Sequence, residues 1–138
     1  MTTTLEAHVQ RYEQSLDACP EAIATVRRIV RTILFLWDRA DLSDDVTLCL
    51  TELLTNVVKH ATCPACLISI QDKPTGLRLA VADTEPAPPV VRRPGHLSET
   101  GRGMALIEKT AHRWGVEWTL SGKRVWLEFR AVPQAVSA

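Results

Sequence analysis

Neither sign of charge prevails in this sequence: 16 lysines and arginines meet 16 aspartates and glutamates, for a formal net charge of zero. That balance argues against broad electrostatic binding to nucleic acid or to an anionic membrane. A membrane-spanning run is missing as well. The longest apolar stretch, residues 29–37, is short and is interrupted by Arg31. Residues 1–10 lack the basic start and apolar run of a signal peptide, which makes the cytoplasm the expected location. Cysteine is sparse, with four residues at 19, 49, 63 and 66, and only the last two lie close together. Cys63 and Cys66, with His60 just before them, make half a zinc site, and no second close pair of Cys or His follows to complete it. Scattered cysteines in a reducing compartment are mostly small core residues, so a plain loop-to-strand junction is the first reading here.

What is present suits one globular domain. The 138 residues are 46% apolar and 23% charged, enough to bury a core. Val9, Tyr12 and Leu16 alternate loosely and predict an edge strand. Cys19-Pro20-Glu21 opens a helix whose apolar positions recur from Ala22 through Trp37. Residues 41–45 break that helix, and Ser43 with acids behind it suits the N-terminus of a second one, running to about Ala61. Period two then takes over in residues 66–71 and 77–83, around a turn at 73–76, and predicts a hairpin. Residues 84–100 hold four of the eight prolines and read as a loop. Helical spacing returns from Gly103 to Arg113, and residues 116–120 and 125–129 predict a last hairpin about Ser121-Gly122. Residues 131–138 read as a frayed tail. The expected fold is a single α/β domain, a two-layer sandwich with a mostly antiparallel sheet and helices on one face.

Three places in this order carry chemistry. Glu52, Asn56 and His60 recur at i, i+4 and i+8 along one side of the second helix. A carboxylate and a carboxamide one turn apart can act on one ligand, the amide oxygen on a metal and the carboxylate on a hydroxyl or a water. Taken alone, the pair reads first as a solvated helix face. Asp83 ends its strand in phase with Leu77, Leu79 and Val81, so its carboxylate turns toward the expected core and needs a partner. A purine exocyclic amine is one such partner, and a simple strand-end cap is the other reading. Gly101-Arg102-Gly103 stands before a helix, where glycine lets backbone N–H groups approach an anion and Arg102 adds charge. Many helices begin after glycine, and the segment is neither a Walker loop nor a dinucleotide fingerprint.

In that order and spacing the chain resembles the GHKL ATPase superfamily of gyrase, histidine kinases and MutL. Within it, the chain is most similar to the small bacterial anti-sigma-factor serine/threonine kinases. The likeness runs from about Cys19 to Phe129. Glu52-x-x-x-Asn56-x-x-x-His60-Ala61 matches the family's N box, Asp83 the aspartate of its first glycine box, and residues 100–107 its second. Arg113-Trp114-Gly115-Val116 and Gly122-Lys123-Arg124-Val125-Trp126 are also typical of the small kinase-like members. The resemblance implies a Bergerat-type ATP-binding fold, ATP and Mg²⁺ as cofactors, and transfer of phosphate to a protein. Glu52 would be the general base and Asn56 the Mg²⁺ ligand, while Asp83 would accept from the adenine amine. Gly101, Arg102, Gly103 and Met104 would complete the nucleotide contacts under a lid of residues 84–100. Partners would be a sigma factor or an anti-sigma-factor antagonist, and a homodimer through the exposed sheet side, with Trp118 and Trp126 as a candidate surface. One departure stands out: Glu85 occupies the place where the wider superfamily has glycine after the aspartate. That points to the alternative, a module that keeps the fold and the nucleotide but transfers no phosphate.

Overall fold

The computed structural model describes residues 10–84 and 99–131, with residues 99–103 described by backbone alone. Its elements run β1 (Arg11–Asp17), α1 (Pro20–Leu36), α2 (Ser43–His60), β2 (Ala65–Lys73), β3 (Gly76–Asp83), α3 (Glu99–Thr110), β4 (Arg113–Thr119) and β5 (Gly122–Arg130). The strands form a five-stranded sheet in the order β1-β2-β3-β5-β4. Every pairing is antiparallel. The expected sandwich is present, without a parallel pair among the described strands.

Local chemistry explains the helix starts. Pro20 sits in the first turn of α1, where its missing N–H costs nothing, and the Cys19 thiol caps the helix by accepting from the Ala22 N–H at 3.4 Å. The α1 C-terminus closes on Trp37, followed by Asp38 at φ 59°, a left-handed position that a short polar side chain tolerates. The start of α2 differs from expectation. A 3-10 turn at Ala40–Leu42 runs straight into the helix, and Leu42 holds the cap position without any side-chain cap. Leu42 is buried, so core burial decides this boundary over capping chemistry. Ser43 is the helix's first residue and is itself buried, its carbonyl accepting from the Thr47 hydroxyl at 2.7 Å. Asp44 and Asp45 in the first turn and Lys59 and His60 in the last suit the helix dipole.

The helices cover one face of the sheet. Alternation turns Ile68 and Ile70, Leu77, Leu79 and Val81, and Val125, Leu127 and Phe129 inward, where they meet Leu50 and Leu54 of α2. Full burial of one such side chain contributes about 1.5–3 kcal/mol. The helix α2 packs on β3, with α1 and α3 against it. At the far end, Arg39 binds the Asp72 carboxylate at 2.8 Å and the Lys73 carbonyl at 2.7 Å, which ties the α1–α2 connection to the β2–β3 turn.

The uncovered face is polar around one aromatic. Trp126 lies beneath the Arg78 and Arg113 guanidiniums, 4.5 and 5.7 Å from its ring centre, and Glu128 accepts from both arginines. Gly115 stands opposite Trp126, where any Cβ would press into the indole. Trp118 pairs with Lys123 and so belongs to the other face of the sheet, 57% exposed. The two tryptophans therefore do not share a surface, contrary to the expectation from sequence. Across a two-residue turn, partners in β4 and β5 differ by an odd number of positions, so Trp118 and Trp126, an even number apart, fall on opposite faces; the turn itself is Leu120-Ser121, and Gly122 is already the first residue of β5.

Gly122 is needed there. A Cβ at that position would run into the Asp83 carbonyl oxygen and the Thr84 backbone. We expect Gly122→Ala to lose about 1–3 kcal/mol of stability through overpacking, seen as a lower urea midpoint at unchanged slope. An unchanged midpoint would mean that β5 can stand away from the end of β3.

Candidate functional site

Chain connectivity brings three elements to one end of the sheet. The helix α2 ends at His60 and β2 begins at Ala65, so the last turns of α2 stand over the Cys66 end of the strands. Cys66 pairs with Asp83 at the close of β3, and Asp83 pairs with Lys123 at the opening of β5. The helix α3 links that end to β4, which starts at Arg113 opposite Glu128, toward the other end of the sheet. Near its C-terminus the Thr110 hydroxyl, which donates to the Leu106 carbonyl at 2.7 Å, lies near the Cys49 thiol midway along α2. Gly101 and Gly103 thus lie in the part of α3 that faces the Asp83 end.

Asp45, Cys49, Glu52, Asn56 and His60 fall within an arc of about 80° on α2. Cys49 is fully buried against α3, whereas Glu52 and Asn56 are half-buried and His60 is exposed. Burial pushes the Cys49 thiol up to about 12, the Asp45 and Glu52 carboxylates add to the rise, and the nearby Thr110 hydroxyl draws it partly back. Glu52 lies within one turn of Cys49 on the same arc of α2. Glu52 brings carboxylate oxygens and Asn56 a carboxamide oxygen, the donor type that hard Mg²⁺ prefers, while the Asn56 NH2 binds no metal. Two protein oxygens suit a metal shared with phosphates better than an all-protein cage, and the residues present therefore fit Mg-ATP.

Asp83 is not left to a ligand alone. Lys123 donates to its Oδ1 at 3.2 Å, and the two side chains are only 8% and 9% exposed. Both also take part in further polar contacts. The partner comes from 40 residues further along the chain, which is why the neighbourhood of Asp83 in sequence holds no hint of it. A signal was nevertheless present: Lys123 opens the alternation Val125, Leu127, Phe129 on the buried phase, where a cation needs an anion. Burial also pushes the Cys66 thiol up to about 11, with Asp83 and then Asp17 adding to the rise.

The glycine segment differs from its expected place. The helix α3 begins at Glu99, so Gly101 and Gly103 are inside its opening turns instead of before them. An acidic residue at a helix start suits the dipole, and the N–H groups of a first turn have no acceptor within the helix. Arg102 is described by backbone only. The Met104 side chain is buried in the core beside Ile107, so it seats the helix and does not reach outward. Of the expected lid, residues 85–98 lie outside the described residues, as does most of the C-terminal tail. Cys63 is exposed while Cys66 is buried in the sheet, so the two thiols occupy different environments. Among the described residues no group of three or more His, Cys, Asp and Glu gathers as a metal site, and no helix is long and apolar enough to cross a membrane. A surface cavity of about 250 Å³ at the opposite end, lined in part by Lys73, His112, Arg113 and Arg130, is separate from this cluster.

Comparisons with known proteins agree with this fold. A family model described as a histidine kinase-like ATPase domain matches residues 16–129. An uncharacterized protein of Streptomyces coelicolor is 41% identical over 73 aligned residues, which cover 49% of this chain and 69% of that protein. Among solved structures, the RsbU and RsbW domains of Rv1364c from Mycobacterium tuberculosis align with a TM-score of 0.60 at 18% identity, a likeness of fold. That alignment covers 90% of this chain, which spans 33% of the length of the solved one.

The thiols supply a check on the seam between α2 and α3. Native protein at pH 8 should react with an aromatic disulfide reagent at exposed Cys63 and spare Cys49 and Cys66 until it unfolds. Because the folded chain keeps these two protons beyond the ordinary thiol value of 9.0, their contribution to stability is complete below that pH. It should decline as pH rises from there toward about 11 and 12. Rapid labelling of Cys49 in folded protein would mean that α2 and α3 do not close over it.

Proposed function

The chain belongs to the histidine kinase-like ATPase domain family, and from that premise we propose that it is an ATP-binding regulatory protein kinase of the anti-sigma-factor serine/threonine type. The reading is supported chiefly by the meeting of a polar α2 stripe, the Asp83 carboxylate and the first turns of α3 at one end of the sheet. ATP with Mg²⁺, when bound, supplies the phosphoryl group and neutralises the charge that builds on its oxygens. The Asn56 carboxamide oxygen is assigned to the metal. Asp83 accepts from the adenine amine, which sets the base against the end of β3. Backbone N–H groups at Gly101 and Gly103, with the Arg102 guanidinium, hold phosphate oxygens. Met104 keeps that turn in position from the core.

Glu52 acts as the general base. Its carboxylate takes the proton of a partner's serine or threonine hydroxyl as that oxygen bonds to the terminal phosphorus and the bond to the bridging oxygen breaks. Positioning and charge neutralisation are the main needs of phosphoryl transfer, so this sparse set suffices. The partner is a protein: a sigma factor that is held, or an antagonist of that hold that is phosphorylated. Self-association into a homodimer belongs to the same reading. A second reading, in which the module binds nucleotide and partner without transferring phosphate, is favoured by Glu85 standing where the wider family has glycine.

Thermal melts with and without Mg-ATP test the premise, since ligand at 100 times its Kd adds about 2.7 kcal/mol. No shift at millimolar Mg-ATP would count decisively against nucleotide binding. Glu52→Ala should abolish phosphate transfer to an antagonist protein while leaving the Mg-ATP shift intact. Equal loss of both would remove Glu52 from the role of base, and retained transfer would do the same.

A further inference from the structure

The end of the sheet away from Asp83 carries a second cluster, around the surface cavity of about 250 Å³. Its walls come from three places: the β2–β3 turn with Lys73 and Thr75, the α3–β4 link with His112 and Arg113, and the close of β5 with Glu128 and Arg130. Backbone hydrogen bonds hold these walls together. The Ala131 N–H donates to the Thr75 carbonyl and the His112 N–H to the Glu128 carbonyl, each at 2.8 Å. Lys73 is fixed from behind by Arg39, which donates to its carbonyl at 2.7 Å. Register sets Lys73 and Arg130 on one cross-strand row with Gly76 between them, so no side chain on that row separates the two cations. Two strand spacings part them by roughly 10 Å, within the joint reach of two long side chains.

Charge there is one-sided, in a chain whose formal net charge is zero. Among the described residues, the fixed cations Lys73, Arg113 and Arg130 line the cavity against the Glu128 carboxylate, an excess of two positive charges. That carboxylate is also shared. Arg113 reaches it at 3.1 Å and Arg78, from outside the cavity, at 3.4 Å, whereas Lys73 stands 4.0 Å away. Arg130 meets no carboxylate among the described residues, and its guanidinium lies 2.9 Å from His112 Nε2. Guanidinium nitrogens only donate, so that ring nitrogen accepts and the imidazole is neutral. The contact orients Arg130 without cancelling its charge. We propose that this cavity is an anion site for a doubly charged phosphate group, free or carried as a monoester. A phosphate monoester carries about −1.5 to −2 charges at neutral pH, which answers the local excess, and its oxygens suit guanidinium forks. A carboxylate leaves one of the positive charges unanswered. Thr75 adds a hydroxyl at the rim. The site is independent of the nucleotide reading of the Asp83 end and survives that reading's failure.

Amide NMR of the isotope-labelled full chain, titrated with inorganic phosphate, phosphoserine and acetate at constant ionic strength, tests this. Phosphate or phosphoserine should give saturable shifts at Thr75, His112, Arg113 and Arg130, with a Kd of about 1 mM or tighter. Acetate should bind more weakly by about tenfold or more. Tighter binding of phosphoserine identifies an ester as the ligand, and equal or tighter binding of inorganic phosphate identifies the free ion. Arg130→Gln should raise the Kd about tenfold. Arg31→Gln, which removes the same charge from the Arg31–Asp44 pair on the α1 surface, should leave it within about twofold. Shifts that do not saturate by about 10 mM overturn the proposal, as do shifts confined to the Asp83 end. Equal weakening by the two substitutions, or acetate that binds as well as phosphate, overturns it too. The wild-type titration needs no substitution, so it decides the matter even where Arg130→Gln fails to fold.

Discussion

Seating of α2 on the inner face of the sheet is the constraint from which the candidate site follows. Leu50 and Leu54 are fully buried against the central strands, and their phase leaves no choice about where the rest of the helix points. With the apolar arc turned to the sheet, the stripe from Asp45 to His60 faces the seam with α3. Glu52 and Asn56 acquire a shared direction without any contact between them being required. The cooperative burial that holds the fold therefore also aims the chemistry. A helix rotated by one residue on the sheet would lose both together.

Much of this was legible in the residues. Two alternating hairpins, two helices of strong apolar period and a proline-rich break between them predict the observed element order closely. Boundaries were less legible, for identifiable reasons. Leu42 looks like part of a breaker segment but is drawn into the core, so the 3-10 turn and α2 fuse. The turn at Leu120-Ser121 precedes the glycine that seemed to mark it, because Gly122 serves a close approach to β3 that no single strand reveals. Partners across this two-residue turn differ by an odd number of positions, so Trp118 and Trp126, an even number apart, part company wherever such a turn falls.

The site was legible in its parts and illegible in its pairings. Spacing alone puts Glu52 and Asn56 on one side of a helix, and phase alone turns Asp83 inward. Its union with Lys123 depends on which strands become neighbours, and β5 reaches β3 only by passing between β3 and β4 in the sheet order. Charge on the buried phase of β5 was the available clue. It names a requirement for a partner without naming the partner.

The arginine at position 39 fastens the two layers together at one end. By gripping the Asp72 carboxylate and the Lys73 carbonyl, it rivets the root of α2 to the hairpin beyond the opposite edge of the layer. At that end, parting helix from strands would break both contacts at once.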